Sequence, residues 1–249
     1  MDNLSLENAV LAANASQIAY EDGKTAKPKY IEMGFTTHKF LENDGAQAHM
    51  CSNKDFALIA CRGTEPKEFN DLLADLNTIP KRHGPGFVHS GFRNEARKLW
   101  DNILSFAKRR ENMPIIVTGH SLGAAMATYI AQELRWHGIK NVTLYTFGSP
   151  RLGSNDFVDA MDVPHWRFVN NNDSVCRVPP TILGFTHHGE LQYINHYGNI
   201  RKMSPWQRWK DRIRGFWAAL KKLQFFDNFY DHGMQHYVKK TENAAKKDK

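Results

Sequence analysis

A serine between two glycines is the residue in this sequence best placed to do chemistry. Ser121 is the central residue of Gly-His-Ser-Leu-Gly at 119–123, between an apolar run at 114–118 and an alanine-rich, helix-like run at 124–130. A sharp strand-to-helix turn of this kind pushes the hydroxyl out at the strand end, and it tolerates almost no neighbouring side chains. The context predicts a nucleophilic serine. The alternative is a glycine-punctuated turn with no chemical role.

A serine hydroxyl becomes a competent nucleophile only beside a base, and that base needs a carboxylate to orient it. The carboxylate should follow a later strand, and Asp173 follows the predicted strand 165–169 in a polar turn. We therefore take Asp173 as the candidate acid. Three competing acids fall in a helix-like segment and are interpreted as solvated surface residues: Asp156, Asp159 and Asp162.

The base should be a histidine on a loop beyond the last strand, in the order Ser, acid, His. His232 lies in such a loop, before a C-terminal helical pattern. Because the chain has 12 histidines, position alone leaves other candidates open: His187, His188, His196 and His236.

Acyl transfer also requires donors aimed at the developing oxyanion. One donor is the backbone N–H of the residue after the nucleophile, here Leu122. The second should come from a loop after an earlier strand. Thr64 fits, because Arg62-Gly63-Thr64 follows the apolar run 56–60 and Gly63 permits a sharp turn. An ordinary Gly-Thr turn is the alternative.

The rest of the chain predicts the elements that would position these groups. Residues 4–20 have helical spacing, and the runs 46–51 and 56–60 predict a hairpin. Farther along, strands at 142–147, 165–169 and 191–194 alternate with helical patterns. Such alternation indicates a mostly parallel sheet covered by helices on both faces, which is an α/β fold.

Four segments, in order, resemble the class 3 lipase family, which includes the fungal triacylglycerol lipases. They are Ala-Cys-Arg-Gly-Thr at 60–64, the serine motif at 119–124, Phe-Gly-Ser-Pro-Arg-Leu-Gly at 147–153, and the Asn-Asn-Asn-Asp-Ser stretch within 169–180. Residues 184–190 and 231–238 are similar to later family segments.

The resemblance implies a single α/β-hydrolase domain over residues 1–249, with a mixed, mostly parallel sheet. It implies a Ser121–Asp173–His232 triad, with His232 chosen because it directly follows the aspartate of the family's C-terminal motif. It also supports Thr64 and Leu122 as the oxyanion donors. A lid over residues 65–79 is implied, and no metal or cofactor. Where the family often has a tryptophan before Ala-Asp-Leu, this chain has Leu72-Leu73.

The composition of the chain also limits which classes of protein it can belong to. The three cysteines, Cys51, Cys61 and Cys176, argue against a disulfide framework, although Cys51 and Cys61 could pair if their strands are neighbours. No apolar run is long enough to span a membrane, and no signal peptide is visible. The compartment stays open, because a cytoplasmic protein, another export route and a mature secreted form all fit.

The basic excess lies in the last fifth of the chain. Residues 1–200 carry 20 Lys and Arg against 21 Asp and Glu, whereas residues 201–249 carry 13 against 5. A basic, aromatic, amphipathic helical insert is predicted at about 203–224, and residues 243–249 are expected to fray. Aromatic and aliphatic side chains form one face of residues 204–223: Trp206, Trp209, Ile213, Phe216, Trp217, Leu220 and Leu223.

Two interpretations of this helix remain open. It could lie in an anionic membrane surface, with its cations on the polar face. It could instead dock its aromatic face on the domain. Nucleic-acid binding is disfavoured, because no recognised motif accompanies the charge.

The sequence therefore predicts a serine esterase that cleaves carboxylic esters of lipids, as a triacylglycerol lipase or carboxylesterase. The alternative within the same chemistry is a phospholipase A1-type enzyme, which the basic helix favours. The alternative of another class is a membrane- or partner-binding module with a vestigial site.

Overall fold

An eight-stranded sheet forms the centre of the computed structural model, which describes residues 4–64, 80–221 and 231–247. Its spatial order is β1-β2-β3-β6-β7-β8-β9-β10. The strands from β3 to β9 pair in parallel, and β1, β2 and β10 complete the edges with antiparallel pairing. The strands are β1 (Thr37–Asn43), β2 (Ala46–Ser52), β3 (Ala57–Cys61), β6 (Ile115–His120), β7 (Val142–Phe147), β8 (His165–Asn170), β9 (Glu190–Ile194) and β10 (Ile200–Arg201).

Helices cover both faces of this sheet. They are α1 (Leu6–Ile18), α2 (Gly23–Glu32), α3 (Ser90–Lys108), α4 (Leu122–Trp136), α5 (Asn155–Asp159), α6 (Pro205–Lys221) and α7 (Met234–Lys247). A separate hairpin consists of β4 (Pro80–His83) and β5 (Gly86–His89). Single 3₁₀ turns lie at Val175–Arg177 and Thr181–Leu183.

The core is divided between the two sheet faces. On one face, α3 and α4 pack on side chains such as Val117 and Leu144. On the other face, α1 packs with α7 over side chains such as Tyr145 and Phe168. Helix α1 approaches closely because its buried positions are small, and four of them are alanines. The two faces together fix where each strand ends, and hence where the polar turns meet.

The predicted N-terminal helix, the 46–61 hairpin and the alternating strands are confirmed. The three cysteines are buried free thiols, so the alternative in which Cys51 pairs with Cys61 does not hold. Although β2 and β3 are neighbours, Cys51 belongs to the α1 side of the sheet and Cys61 to the α3/α4 side, so the two cannot pair. Residues 21–45 had no predicted structure, yet they form α2 and β1.

Residues 243–247, part of the segment that is expected to fray, are helical, and α7 ends at Lys247. The helix is held along its length by tertiary contacts: α1 packs against it, Lys240 donates to Asn170 at 2.6 Å, and Lys247 donates to Asn199 at 2.7 Å. Residues 248–249 lie outside the described residues. None of the described helices is both long and apolar enough to cross a bilayer.

Several histidines are buried in this fold in the neutral form. Burial lowers the pKa of His49 to about 4, with the neighbouring His38 as a second cause. His49 Nε2 donates to the Glu21 carbonyl at 3.2 Å, and its Nδ1 lies 2.9 Å from His38 Nε2. Burial also lowers the pKa of His188 to about 4 and holds that of His165 well below its ordinary value.

These histidines predict acid sensitivity. These histidines take up protons near pH 6.5 in the unfolded chain, whereas His49 and His188 take them up only near pH 4 in the folded chain, so the free energy of unfolding decreases as pH falls between those values. His49 alone should account for about 2 kcal/mol of the difference between pH 7 and pH 5. Urea unfolding at both pH values measures it. The difference in free energy of unfolding between pH 7 and pH 5 should be smaller by that amount in His49→Gln. It should be unchanged in the control His137→Gln, because His137 is exposed. An unchanged difference in His49→Gln would contradict the assignment.

Candidate active site at the serine turn

The backbone at Ser121 adopts a conformation that L-residues rarely occupy, with φ 56° and ψ −128°. The turn places the end of β6 directly against the start of α4. A Cβ on Gly119 would lie 2.3 Å from the Gly123 carbonyl oxygen, and a Cβ on Gly123 would lie 2.3 Å from that of Cys61. Both glycines are therefore required by close backbone approach. Backbone strain of this kind concentrates at functional sites.

The Ser121 hydroxyl is buried, and it forms no hydrogen bond with any residue in the described ranges. Its backbone N–H donates to the Phe147 carbonyl at 3.1 Å, which ties the turn to the neighbouring strand β7. A buried hydroxyl without a partner is uncommon in folded proteins and calls for an explanation. The position of this hydroxyl is therefore set by the backbone conformation of Ser121, which directly precedes α4.

Asp173 and His232 meet beside this turn, although 59 residues separate them. His232 Nδ1 donates to Asp173 Oδ2 at 2.9 Å, and both side chains are buried. Asp173 lies in the turn after β8, and His232 lies in the loop before α7. Parallel pairing of β7 with β8 brings the Asp173 turn to the same sheet edge as Ser121. A Cβ on Gly148, at the end of β7, would lie within 2.9 Å of both side chains.

Asp173 is ionised despite its burial. Burial raises the pKa of this carboxyl, but the electrostatic interaction and hydrogen bond with His232, together with the hydrogen bond from the Tyr237 hydroxyl, outweigh that effect and lower the pKa below its ordinary value. A carboxylate at this position orients the imidazole so that Nδ1 donates to it.

Tyr237 is a component of the site to which sequence reasoning assigned no role. Its hydroxyl donates to Asp173 Oδ2 at 2.6 Å and accepts from the Asn170 N–H at 3.0 Å. Oδ1 of Asp173 accepts from the Val175 N–H at 2.9 Å. Both oxygens of the carboxylate therefore accept hydrogen bonds from the described residues. The 231–238 motif contained Tyr237, but only the packing of α7 against β8 shows what its hydroxyl contacts.

The histidine loop is held through Asp231, the residue before His232. Asp231 Oδ2 accepts from the Asn172 N–H at 3.1 Å, and the Asp231 carbonyl accepts from the Asn170 side chain at 2.7 Å. The two asparagines therefore anchor the loop that carries His232 to the turn that carries Asp173.

His120 connects the histidine loop to the serine turn. Its Nε2 donates to the His232 carbonyl at 2.7 Å, and the centroids of the two rings lie 4.4 Å apart. Burial and the neighbouring His232 lower the pKa of His120 to about 3. His120 is therefore neutral, and its Nδ1 accepts from the Tyr20 hydroxyl at 2.7 Å. Because His120 precedes Ser121, this contact places the His232 ring next to the turn.

Thr64 and Leu122 line one cavity of about 300 Å³. The Thr64 hydroxyl is buried, with no hydrogen-bond partner in the described part of the chain. A Cβ on Gly63 would lie 2.5 Å from the His120 carbonyl oxygen and 3.3 Å from Cβ of Ser121. The loop that carries Thr64 therefore approaches the serine turn closely only because residue 63 has no side chain.

The other candidate histidines lie elsewhere. His187 Nε2 donates to the Cys176 carbonyl at 2.8 Å, and His188 Nδ1 lies 3.1 Å from His165 Nδ1. The implied lid at 65–79 and the aromatic stretch 225–230 lie outside the described residues. Within residues 4–64, 80–221 and 231–247, no three His, Cys, Asp or Glu side chains are grouped as a metal would need.

A family comparison supports the interpretation of this geometry. The profile described as "Lipase (class 3)" matches residues 58–183, which is half of the chain. The chain belongs to the class 3 lipase family. The match contains the Thr64 loop, the Ser121 turn and the Asp173 turn, whereas His232 lies beyond it.

Named relatives agree with this family. The chain is 35% identical over 150 residues to a lipase from Rhizomucor miehei, covering 55% of this chain and 41% of that protein. It is 38% identical over 107 residues to secreted mono- and diacylglycerol lipase 1 from Fusarium solani, covering 40% and 32%. The chain thus matches about two-fifths or less of the length of these relatives.

A solved structure shows the same architecture. The structure of the Rhizomucor miehei triacylglyceride lipase superposes with a TM-score of 0.62 at 25% identity, covering 77% of this chain and 81% of that one. The α/β-hydrolase fold expected from the sequence is thereby confirmed.

Removing the Tyr237 hydroxyl should destabilise the folded protein. Tyr237→Phe leaves the buried Asp173 carboxylate with one donor fewer, and hydrogen bonds to charged groups are worth about 1.5–3 kcal/mol. Urea unfolding at pH 7 should show a loss in that range. Tyr145→Phe is the matched control, because that buried hydroxyl accepts a neutral hydrogen bond from the Ser5 N–H at 2.9 Å. A loss in Tyr237→Phe no larger than in the control would contradict the assigned role.

Proposed function

We propose that this protein hydrolyses carboxylic ester bonds of lipids through an acyl-enzyme formed on Ser121. The observation that carries the proposal is the buried hydrogen bond between His232 and Asp173, formed beside the strained turn of Ser121. An imidazole oriented by a carboxylate, next to a hydroxyl at a helix N-terminus, is the arrangement that activates serine as a nucleophile.

In the proposed reaction, the Ser121 oxygen attacks the ester carbonyl while His232 Nε2 accepts its proton. Asp173 stabilises the imidazolium that forms, and Tyr237 keeps this carboxylate ionised and in position. The imidazolium then protonates the leaving alcohol as the C–O bond breaks. Water attacks the acyl-enzyme by the same route, with His232 again as the base, and releases the fatty acid.

The tetrahedral intermediates require donors for the oxyanion. We assign this role to the backbone N–H groups of Leu122 and Thr64, with the Thr64 hydroxyl available as a third donor. The close approach of the Thr64 loop to the serine turn supports the assignment, because a Cβ on Gly63 would lie 3.3 Å from Cβ of Ser121. The Ser121 hydroxyl has no hydrogen bond to the described residues before substrate arrives, which agrees with enzymes whose catalytic hydrogen bonds tighten only in the complex.

Acylglycerols are the proposed substrates. Two relatives support this choice by name, one as a triacylglyceride lipase and one as a mono- and diacylglycerol lipase. A phospholipase A1-type activity is the second candidate, and helix α6 is the observation that favours it.

Helix α6 presents its aromatic face to solvent over the part whose side chains are described. Trp206 is 59% exposed, Trp209 is 52% exposed, and their rings stack with centroids 4.7 Å apart. The opposite face packs on the domain through Asp211, which is buried. This orientation speaks against the docked aromatic face considered above. The side chains of Phe216, Trp217, Leu220 and Leu223 lie outside the described residues.

We therefore propose that α6 touches the surface of an anionic bilayer, with its tryptophans in the headgroup region. Exposed tryptophan flanked by cations is typical of helices that lie in such surfaces. Lys210 Nζ lies 5.1 Å from the centroid of the Trp206 ring, so the cation accompanies the aromatic group.

Ser121→Ala should abolish ester hydrolysis and leave the protein folded. We expect turnover of p-nitrophenyl butyrate to fall by a factor of about 10³ or more, because the nucleophile is lost. Ser16→Ala is the matched control, since Ser16 is also buried but bonds to Thr118 at 2.8 Å. Retained activity in Ser121→Ala would remove the serine turn from the mechanism. If wild type itself hydrolyses no ester, the alternative of a membrane- or partner-binding module with a vestigial site is favoured. A panel of triacylglycerol and phospholipid substrates then separates the two candidate activities.

Removing the exposed tryptophans of α6 should weaken membrane contact. In flotation with vesicles of phosphatidylcholine and phosphatidylserine, wild type should float and the Trp206→Ala, Trp209→Ala double variant should stay largely in the soluble fraction. Tyr197→Ala is the control, because Tyr197 is 68% exposed but lies outside α6. Equal flotation of the double variant and the control would contradict the proposed contact.

A further inference from the structure

A cavity of about 390 Å³ lies between α6 and the face of the sheet formed by β8 and β9. This is within the range of volumes that small-molecule sites occupy. Strands β8 and β9 contribute the floor of the cavity, the 3₁₀ turn at Val175–Arg177 one wall, and α6 another. Its lining is Arg151, Arg167, Val169, Cys176, Arg177, His187, Leu191, Tyr193, Pro205, Arg208 and Arg212.

The charge of this lining is unbalanced. The described residues that line it include five arginines and no carboxylate. Among the residues that the structure describes, none of the five forms an ion pair. Two acids lie near the cavity without lining it. Asp173 is bound to His232 and Tyr237, and Asp211 accepts from the His196 N–H at 2.8 Å and from the Tyr193 hydroxyl at 3.1 Å.

Arg167 is the least compensated of these cations. It projects from the middle of β8, where its strand neighbours are Thr146 and Leu191. Its Nε is buried and has no hydrogen-bond partner within the described ranges. Burial lowers the pKa of Arg167 to about 10, and the neighbouring Arg151 and Arg208 add to this effect. The side chain is still charged at neutral pH.

The other arginines are oriented around the same space. Arg151 donates to the carbonyls of Arg177 and Pro179, which fixes its guanidinium at the edge of the cavity. Arg212 lies beside Tyr193, and its Nε is also buried without a partner in the described part of the chain. Arg177 is exposed, so the cavity can be reached from solvent.

Gathering several cations around one cavity costs free energy unless an anion occupies it. Guanidinium groups present planar, paired donors that match the oxygens of phosphate. Proteins commonly bind phosphate groups with clusters of arginine for this reason. The positive charge of five arginines is larger than the charge that a single carboxylate could neutralise. We propose that this cavity binds a phosphate group, either free or as the headgroup of a phospholipid.

This binding site is separate from the serine turn, and its test measures binding instead of turnover. Failure of one proposal therefore leaves the other untouched. The phosphate is a ligand here, and no bond is made or broken in the cavity.

The test is thermal unfolding of the full chain in sodium phosphate and in sodium chloride of equal ionic strength. Phosphate should raise the midpoint of wild type by roughly 5–10 °C at about a hundred times its dissociation constant, because a ligand of the folded state stabilises it. Arg167→Met and Arg208→Met should lose most of this shift. Arg109→Met is the matched control, because it removes one positive charge at an exposed position at the end of α3.

Arg208 gives the proposal a second variant should Arg167→Met fail to fold, because Arg208 lies on the surface helix α6. Equal midpoints in phosphate and chloride would overturn the proposal, and so would an undiminished phosphate shift in Arg208→Met. A second arm distinguishes the source of the phosphate, using flotation with phosphatidylcholine vesicles that contain phosphatidic acid. Weaker flotation of Arg167→Met, a variant of the sheet and not of α6, than of Arg109→Met assigns the headgroup. Equal flotation, together with a lost phosphate shift, assigns free phosphate.

Discussion

The close backbone packing around Ser121 is the constraint on which the rest of the site depends. A residue at φ 56° costs about 1–3 kcal/mol relative to relaxed backbone, and surrounding structure must supply that energy. Here it comes from burial of β6 and α4 on both sides of the turn. Three glycines, Gly63, Gly119 and Gly123, let three chain segments converge at distances that no Cβ would allow. The serine is therefore positioned by main chain, while its hydroxyl stays available.

Asp173 and His232 are positioned differently, through polar contacts between distant segments. Asp173 is buried and charged, a combination that folded proteins tolerate only when donors surround the carboxylate. His232, Tyr237 and the Val175 N–H supply them. His120 is neutral, so it can bond to Tyr20 and to the His232 carbonyl without adding a second charge. The Asp173 carboxylate thus lies between hydrogen-bond donors, and its negative charge favours an imidazolium beside it.

Local pattern accounts for the parts of the fold and site that the sequence predicted. The Ser121 turn and the strand before Asp173 lie in short contiguous segments, so periodicity and glycine placement were sufficient. Tyr237 and the arginine cavity could not be found that way. Tyr237 reaches Asp173 only because α7 packs across β8, and the five arginines, spread from residue 151 to 212, gather only in the folded sheet. For α6, spacing gave the two faces, but Asp211 and its contacts decided which face turns inward.

Asn172 forms hydrogen bonds with two separate parts of the molecule, the loop that carries His232 and helix α6. Its main-chain N–H binds the Asp231 carboxylate in the histidine loop, and its side-chain amide binds the Arg212 carbonyl of α6 at 3.2 Å. The next residue in the chain is Asp173. One asparagine therefore ties the position of α6 to that of the loop that carries His232, directly beside Asp173.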